Sequence, residues 1–305
     1  MSVRVIDGGL STALEEAGHR LDDRLWTARL LIDDPEAIVA AHLSFLRAGA
    51  RVLITSSYQA SEAGFVAAGL APEDAVAALR STTALAVEAR RRFALEDPTG
   101  ARDVLIAASV GPYGATLGDG SEYRAPKVDE VFLVEFHTTR LQVLIDTQPD
   151  LLAIETISSA REARAIVGGL DGLPPISAWV TFTCRDGATT WGGDPIETAV
   201  AAALAGPSVI GVGVNCTAPA DVAPLLERIG RVTDLPLVAY PNGGQSWDAA
   251  EKVWKGAASG FSGDELAAWV ELGARYLGGC CGVGPAGIAA LTGGLRRINE
   301  TQETG

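Results

Sequence analysis

The stretch VIGVGVNCTAPADVAPLLERIGRVTDLPLVAYPN, residues 209–242, contains the repeating unit from which the fold follows. A β-branched run over 209–216 precedes a segment of helical period over 219–230, and a second apolar run follows over 237–242. Apolar runs that alternate with amphipathic helices are typical of parallel strands joined by crossover helices. The stretch therefore predicts a strand–helix–strand unit whose two strands point the same way.

The same alternation continues along the whole chain of 305 residues. Strands are predicted over residues 3–7, 52–57, 104–110, 151–156, 176–182, 209–216, 237–242 and 276–281. Helices are predicted near 35–48, 73–95, 128–147, 159–169, 195–205, 219–230, 262–273 and 285–298. These repeated units predict an α/β protein in which a single domain, residues 1–305, forms a closed (β/α)₈ barrel. We expect the polar tail after about residue 298 to be frayed.

An open, doubly wound sheet is the alternative arrangement of these units. Such a sheet usually has fewer strands and a glycine-rich turn after the first, and DGGL at 7–10 does not match the dinucleotide-binding fingerprint. Loop lengths favour the barrel, because the long loops at 10–34, 111–127 and 243–260 all follow predicted strands. In a barrel these loops gather at the carboxyl ends of the strands, where barrel enzymes have their active sites.

Composition argues against several classes of function. The chain has 38 acidic and 24 basic side chains and a formal net charge of −14, which disfavours nucleic acid or an anionic membrane as a partner. No apolar run reaches the roughly 20 residues that span a bilayer. The stretch MSVRVIDGG at 1–9 leads directly into a strand, without the pattern of a secretory signal. We therefore expect a cytoplasmic protein whose thiols stay reduced.

Three of the four cysteines stand at the ends of predicted strands. Cys216 ends the sixth strand, and the adjacent Cys280 and Cys281 end the eighth. Three converging cysteinates form a soft tetrahedral site with one open position. Zinc is held in this way when a substrate must bind to the metal, and an all-cysteine site suits a substrate that is itself a thiol. The alternatives are small buried hydrophobic side chains, as we interpret Cys184, or a strained disulfide between the two neighbours.

Seven motifs of the chain resemble those of the homocysteine-binding methyltransferase family. They are DGGLSTALEEAG (7–18), LITSSYQAS (53–61), GPYGATLGDGSEYR (111–124), AIETI (153–157), GVNC (213–216), YPNGG (240–244) and GGCCG (278–282). Their order and rough spacing are those of the branch that uses S-methylmethionine or S-adenosylmethionine as methyl donor. The resemblance extends over about residues 5–298, and GVNC together with GGCCG is its most specific part.

The resemblance implies zinc-dependent methyl transfer from a sulfonium donor to the thiol of L-homocysteine, giving L-methionine. One Zn²⁺ per chain is implied, held by Cys216, Cys280 and Cys281. A free thiol with a pKa near 8.5 is only a few per cent ionised at pH 7, whereas a thiol bound to zinc is deprotonated. No side chain has to move a proton during the transfer, which agrees with the absence of histidine from the predicted strand ends.

Two acids and two glycines near strand ends are candidates for binding the amino acid substrate. Asp7 ends the first strand and Glu155 the fourth. Taken alone, either acid is more simply a helix N-cap or a solvated loop residue. The resemblance implies instead that the two acids hold the α-amino group of homocysteine, because a buried ammonium needs such a partner. Gly8 and Gly9 would let the backbone approach the ligand closely.

The remaining candidates have equally plausible structural roles. Tyr58, Tyr240 and Asn242 either line the pocket or cap the barrel. Asn215 could orient the neighbouring Cys216 through a hydrogen bond. Tryptophans of the long loops either serve packing or close over the donor and exclude water. These tryptophans are Trp26, Trp247 and Trp254.

Two other functions are compatible with the residues. A barrel enzyme acting on a phosphorylated metabolite would use the glycine-rich loops after strands seven and eight, PNGG at 241–244 and GGCCGVG at 278–284. Against it, no lysine lies at a predicted strand end and the pocket candidates are acidic. A zinc-storage or sensor protein would use the same thiolates, but it would leave the other strand ends without a role.

Overall fold

The computed structural model describes residues 3–21, 27–244, 246–248, 253–255 and 260–304. Its strands are β1 (Arg4–Val5), β2 (Val52–Ile54), β3 (Leu105–Val110), β4 (Leu151–Ile157), β5 (Ala178–Phe182), β6 (Val209–Asn215), β7 (Leu237–Tyr240), β8 (Ser246–Asp248), β9 (Val253–Lys255) and β10 (Ala274–Leu277). All the predicted strands are present, most of them shorter than the apolar runs. The sequence analysis did not predict β8 and β9, which form an antiparallel hairpin in the long loop after β7.

The other strands form one parallel sheet that closes on itself. Their order is β1-β10-β7-β6-β5-β4-β3-β2. A parallel bridge between Ile6 and Val52 joins the first strand of this order to the last. The amide of Asp7 strengthens the closure by donating to the carbonyl of Val52 over 3.0 Å. The predicted (β/α)₈ barrel is therefore confirmed, and the open sheet is excluded.

Helices connect the strands and surround the barrel. They are α1 (Leu10–Glu16), α2 (Thr27–Asp33), α3 (Pro35–Arg47), α4 (Glu62–Ala67), α5 (Pro72–Glu96), α6 (Pro98–Ala101), α7 (Glu130–Ile145), α8 (Ala160–Gly168), α9 (Ile196–Ala203), α10 (Pro219–Gly230), α11 (Gly263–Glu271) and α12 (Pro285–Thr304). The predicted helices are all present, and the last continues to Thr304 instead of ending near 298. The short helices α1, α2, α4 and α6 were missed because so few residues show no clear period. Within the described ranges, no helix is both long and apolar enough to cross a membrane.

The interior of the barrel is a packed core. Its buried residues are Ile6, Val52, Ala107, Leu151, Ala153, Trp179, Val238 and Tyr240. Close packing of neighbouring strands requires glycine at Gly213 on β6, because a Cβ there would lie 1.7 Å from the carbonyl oxygen of Val238 on β7. A second apolar layer fills the space between the strands and the helices. With its interior filled, the barrel can accept a ligand only above the carboxyl ends of its strands.

Candidate metal and substrate site

The three cysteines at the strand ends come together in the structure. Cys216 directly follows β6, and Cys280 and Cys281 lie in the turn between β10 and α12. The sulfur atoms of the three residues all lie within 4.8 Å of one another. The Sγ atoms of Cys216 and Cys281 are 3.6 Å apart. No disulfide joins them, and Cys184, the fourth cysteine, is buried outside this cluster.

The three thiols of the cluster influence one another's pKa values. Hydrogen bonds from Cys280 and Cys281 hold the pKa of the Cys216 thiol well below its ordinary value. The same contacts with Cys216 raise the pKa of Cys280 and of Cys281. A set of thiols that share their protons in this way suits a soft dication, which would replace the protons and stabilise all three thiolates.

The backbone around Cys216 is held in a strained conformation. Its φ is +48°, in the left-handed region that residues with a side chain rarely adopt. The Cys216 amide donates to the carbonyl of Tyr240 over 3.1 Å, and the hydroxyl of Thr183 donates to the Cys216 carbonyl over 3.1 Å. These two contacts, one from each neighbouring strand end, direct the sulfur toward the turn that carries Cys280 and Cys281.

A cavity opens beside the three sulfurs. Its lining residues are Gly8, Gly9, Leu10, Ser11, Ile54, Thr55, Ser56, Tyr58, Glu122, Tyr123, Glu155, Thr156, Cys216, Tyr240, Gly279, Cys280 and Cys281. They follow most of the barrel strands, so the cavity lies at the carboxyl end as predicted. Among the described residues, the lining has no lysine or arginine, which disfavours the alternative that the glycine-rich loops bind a phosphorylated metabolite.

Glu155, at the end of β4, faces this cavity from a buried position. The hydroxyl of Ser109 donates to its Oε1, and the Tyr240 hydroxyl also contacts the carboxylate. Burial raises the pKa of Glu155 to about 7, and these hydrogen bonds oppose the increase. A buried carboxylate with polar neighbours, and with no basic partner among the described lining residues, is suited to bind an ammonium group.

Asp7 is buried at the end of β1, close to Glu155. The side chain is 3% exposed, and its Oδ2 accepts a hydrogen bond from the amide of Ile54 over 2.9 Å. Asp7 is not among the lining residues of the cavity. Burial raises its pKa well above the ordinary value, and the charge of Glu155 adds to this shift. Asp7 therefore connects the ends of β1 and β2 close to Glu155.

Gly8 and Gly9 line the cavity, but their close contacts are with the protein backbone. A Cβ at Gly8 would lie 2.2 Å from the carbonyl oxygen of Val283, and one at Gly9 would lie 2.7 Å from that of Cys280. The amide of Gly9 also donates to the Val283 carbonyl over 3.0 Å. Glycine is needed here because the loop after β1 packs directly on the turn that carries the cysteines.

The other candidates divide between the cavity and its surroundings. Tyr58 lines the cavity, and burial raises its pKa well above the ordinary value. Asn215 and Asn242 are not among the lining residues. Asn215 is fully buried behind Cys216, and the Asn242 side chain accepts a hydrogen bond from the amide of Gly244 over 3.0 Å. Trp26 and the side chains of Trp247 and Trp254 lie outside the described residues.

Two cavity residues on the loop after β3 were not singled out from the sequence. A 3-10 turn, Ser121–Tyr123, carries Glu122 and Tyr123 to the cavity. The hydroxyl of Tyr123 lies 3.7 Å from Cys216 Sγ, and its ring packs edge-on against Trp191 at 5.8 Å between centroids. The motif GDGSEYR contributed to the family resemblance, but a sequence motif does not show which side chains of a loop point into a cavity.

Arg140 on α7 is a third residue that was not singled out from the sequence. The guanidinium is 3% exposed and donates to the carbonyls of Gly111 at 2.9 Å, Tyr58 at 2.7 Å, and Ser57. Burial lowers its pKa to about 10. This one side chain connects the loops after β2 and β3, and so it positions two walls of the cavity.

The fold and the site together define a (β/α)₈-barrel enzyme with three cysteine thiols at the carboxyl ends of its strands. Residues 4–294 match the family model described as homocysteine S-methyltransferase. The chain is 41% identical to homocysteine S-methyltransferase of Escherichia coli over 292 residues, 95% of this chain and 94% of that protein. It is 38% identical to homocysteine S-methyltransferase YbgG of Bacillus subtilis, over 97% of this chain and 96% of the relative.

A solved structure of a relative agrees with this assignment. The metallated form of the homocysteine methyltransferase MmuM from Escherichia coli superposes with a TM-score of 0.86 at 39% identity, covering 96% of each chain. The chain therefore belongs to the homocysteine S-methyltransferase family, and it is an enzyme of the methyltransferase class. The resemblance noted from the motifs is confirmed, and a zinc-storage or sensor protein is disfavoured.

Proposed function

We propose that the enzyme transfers a methyl group from a sulfonium donor, S-methylmethionine or S-adenosylmethionine, to the sulfur of L-homocysteine, giving L-methionine. One Zn²⁺ per chain would be held by Cys216, Cys280 and Cys281. The observation that carries the proposal is the convergence of these three sulfurs beside a cavity that also contains the buried carboxylate of Glu155.

The spacing of the sulfurs fits zinc. Tetrahedral coordination with Zn–S bonds of about 2.3 Å places two ligand sulfurs about 3.8 Å apart. The Sγ atoms of Cys216 and Cys281 lie 3.6 Å apart, and all three sulfurs are within 4.8 Å of one another. Three ligands leave one tetrahedral position for the substrate. When bound, zinc would keep the sulfur of homocysteine deprotonated at neutral pH.

The residues around the cysteines suit the two substrates. The carboxylate of Glu155 would bind the ammonium of homocysteine, with the Asp7 carboxyl group buried close by. Three cysteinates give the site an excess of negative charge, which attracts a cationic sulfonium. That attraction, together with the lack of basic side chains among the described lining residues, favours a positively charged donor over an anionic one.

The histidines lie away from this chemistry. His42 on α3 and His137 on α7 are both fully buried, and neither lines the cavity. The Nε2 atom of His137 lies 3.1 Å from Oε1 of Glu162. The same oxygen accepts a hydrogen bond from the amide of Tyr113. These contacts support the loop after β3. Methyl transfer requires no proton from an imidazole, so the proposal does not depend on one.

A donor panel tests the proposal. Zinc-loaded enzyme is supplied with saturating L-homocysteine and, in separate reactions, with S-methylmethionine, S-adenosylmethionine and trimethylsulfonium, and methionine is measured. We expect methionine from at least one of the first two donors, and none after chelation of the metal. If no sulfonium compound yields methionine in the zinc-loaded sample, the proposal is wrong.

We also propose that the enzyme works on small molecules in the cytoplasm. An all-cysteine metal site needs reduced thiols, which the cytoplasm maintains. A formal net charge of −14 disfavours binding to nucleic acid or to an anionic membrane. Fractionation followed by a homocysteine methylation assay would test the location.

A further inference from the structure

Glu122 has an oxygen atom that is buried without a partner. The residue lies on the 3-10 turn Ser121–Tyr123 and lines the cavity. Its Oε2 has no hydrogen-bond partner in the part of the chain that the structure describes. The carboxylate is contacted by the amide of its own residue. The hydroxyl of Ser56, also in the lining, is likewise buried without a partner, but it carries no charge.

A buried carboxylate without a cationic partner is costly. Removal from water penalises the ionised form, and only a nearby positive charge or several hydrogen bonds can offset this penalty. Among the described residues, the lining of the cavity has neither lysine nor arginine, and its charged members are Glu155 and the cysteine cluster. Within that part of the chain nothing complements the charge of Glu122, and a cationic ligand would do so.

The position of Glu122 indicates which ligand brings that charge. The next residue, Tyr123, places its hydroxyl 3.7 Å from Cys216 Sγ, so the turn stands directly beside the sulfur cluster. The negative charge of Glu122 also contributes to the raised pKa of Cys281. In methyl transfer, the donor sulfonium must lie in line with the acceptor sulfur, one methyl group away from it. Homocysteine already has Glu155 as the partner of its ammonium group.

We infer that Glu122 recognises the methyl donor, with its carboxylate placed against the positively charged sulfonium. This inference rests on the proposed function and assigns the donor side of the same cavity. In the transfer, the S–CH₃ bond of the donor breaks and its electron pair stays on the donor sulfur, which becomes a neutral thioether. The homocysteine thiolate forms the new S–CH₃ bond, and Glu122 neither gains nor loses a proton.

This charge balance determines how Glu122 contributes. The sulfonium loses its positive charge as the methyl group moves, so a carboxylate beside it stabilises the bound donor more than the transition state. Such an interaction lowers the donor KM and does not raise kcat. Glu122 is therefore a specificity-determining residue, which favours a sulfonium over an uncharged methyl compound.

Kinetics of matched variants test the inference. Zinc-loaded Glu122→Gln, Glu122→Asp and Glu155→Gln are compared with Glu135→Gln, which removes the same charge at an exposed position on α7. The donor KM is measured with S-methylmethionine at saturating homocysteine, and the homocysteine KM at saturating donor. Zinc content and thermal unfolding show whether each variant is folded. The inhibition constant of trimethylsulfonium, which has no ammonium group, shows which cation of the donor is recognised.

The expected pattern separates the two acids of the cavity. For Glu122→Gln, the loss of a partly desolvated charge partner raises the donor KM about tenfold or more. Its kcat stays within about threefold of the parent, since the transition state gains less from the carboxylate. The homocysteine KM stays unchanged, trimethylsulfonium inhibits more weakly, and Glu122→Asp lies between. Glu155→Gln raises the homocysteine KM instead, and Glu135→Gln matches the parent.

Three results would overturn the inference. One is an unchanged donor KM in a folded Glu122→Gln enzyme, and another is a change confined to the homocysteine KM. The third is undiminished inhibition by trimethylsulfonium, which would place Glu122 against another part of the donor. All three leave homocysteine methylation by the parent enzyme intact, so they are distinct from a failure of the proposed function, in which the parent itself forms no methionine.

Discussion

Asn215 and Thr156 are joined by two hydrogen bonds across the top of the barrel. The Thr156 amide donates to Asn215 Oδ1 over 2.7 Å, and Asn215 Nδ2 donates to Thr156 Oγ1 over 2.8 Å. The two residues come from β6 and β4, between which β5 lies in the sheet. Thr156 has a φ of +61° and Cys216 a φ of +48°. The two hydrogen bonds thus hold Thr156, which follows Glu155, and Asn215, which precedes the candidate metal ligand Cys216.

Replacing Asn215 should therefore affect both stability and metal binding. Asn215→Ala leaves the buried amide of Thr156 without a partner, and an unsatisfied buried group costs about 1–3 kcal/mol. We expect the free energy of unfolding to fall by about that amount and zinc to be lost at lower chelator concentrations. Asn242→Ala, which removes an amide side chain from a partly exposed turn, should change both quantities much less. Equal effects of the two substitutions in urea unfolding would contradict this role for Asn215.

Metal content gives a second prediction. Protein purified under reducing conditions should carry about one zinc per chain, and chelation should remove metal and activity together. Replacing Cys216, Cys280 or Cys281 singly with Ala should abolish activity and zinc retention, because two thiolates cannot hold the ion and leave a position for substrate. Cys184→Ala is the control, since Cys184 is buried outside the cluster. Metal analysis of the purified variants checks this, and full activity in a metal-free sample would refute it.

Substrate capture by Glu155 gives a third prediction. Glu155→Gln keeps the shape of the side chain and removes the charge that would face the ammonium of homocysteine. Losing one partner of a buried ion pair costs on the order of 2–5 kcal/mol. Homocysteine binding, measured by calorimetry on the zinc-loaded enzyme, should weaken by well over tenfold while zinc content stays normal. The smaller role of Asp7, which is absent from the cavity lining, predicts a weaker effect of Asp7→Asn on homocysteine affinity.

His42 gives a prediction about stability and pH. Burial lowers its pKa from 6.5 to about 4, and neither ring nitrogen has a hydrogen-bond partner among the described residues. Below pH 6.5 the unfolded chain takes up a proton at this residue and the folded protein does not, so stability is lost as the pH falls. Linkage gives a loss of about 2 kcal/mol between pH 7.5 and pH 5 from this residue alone.

The substitution His42→Leu should remove that share of the pH dependence. We expect the parent to lose about 2 kcal/mol more unfolding free energy than the variant over this pH interval. Urea unfolding at pH 7.5 and pH 5 measures the difference. The control is His19→Gln, at a partly exposed position, and it should behave as the parent does. Parallel losses in the parent and in His42→Leu would show that the residue is protonated in the folded state.

Much of the architecture could be predicted from the sequence because it depends on local pattern. The strand at 209–216 and the helix at 219–230 are visible as a change of hydrophobic period, and the structure places β6 and α10 there. Parallel strands in a barrel all end at one face, so Cys216 and the pair Cys280 and Cys281 could be expected to meet. Short helices such as α4 lack a clear period and were missed.

The tertiary structure decided which side chains enter the cavity. Asp7 and Glu155 both end strands, yet only Glu155 lines the cavity, and the Asp7 carboxylate accepts a hydrogen bond from the amide of Ile54. Glu122 enters through an irregular loop, and Arg140 reaches its three carbonyl partners from a helix that is distant in sequence. The position of a strand end can be predicted from the hydrophobic pattern, because that pattern is contained in one continuous segment of the sequence. The direction of a side chain in a loop depends on contacts between segments far apart in the chain, and only the folded protein brings those together.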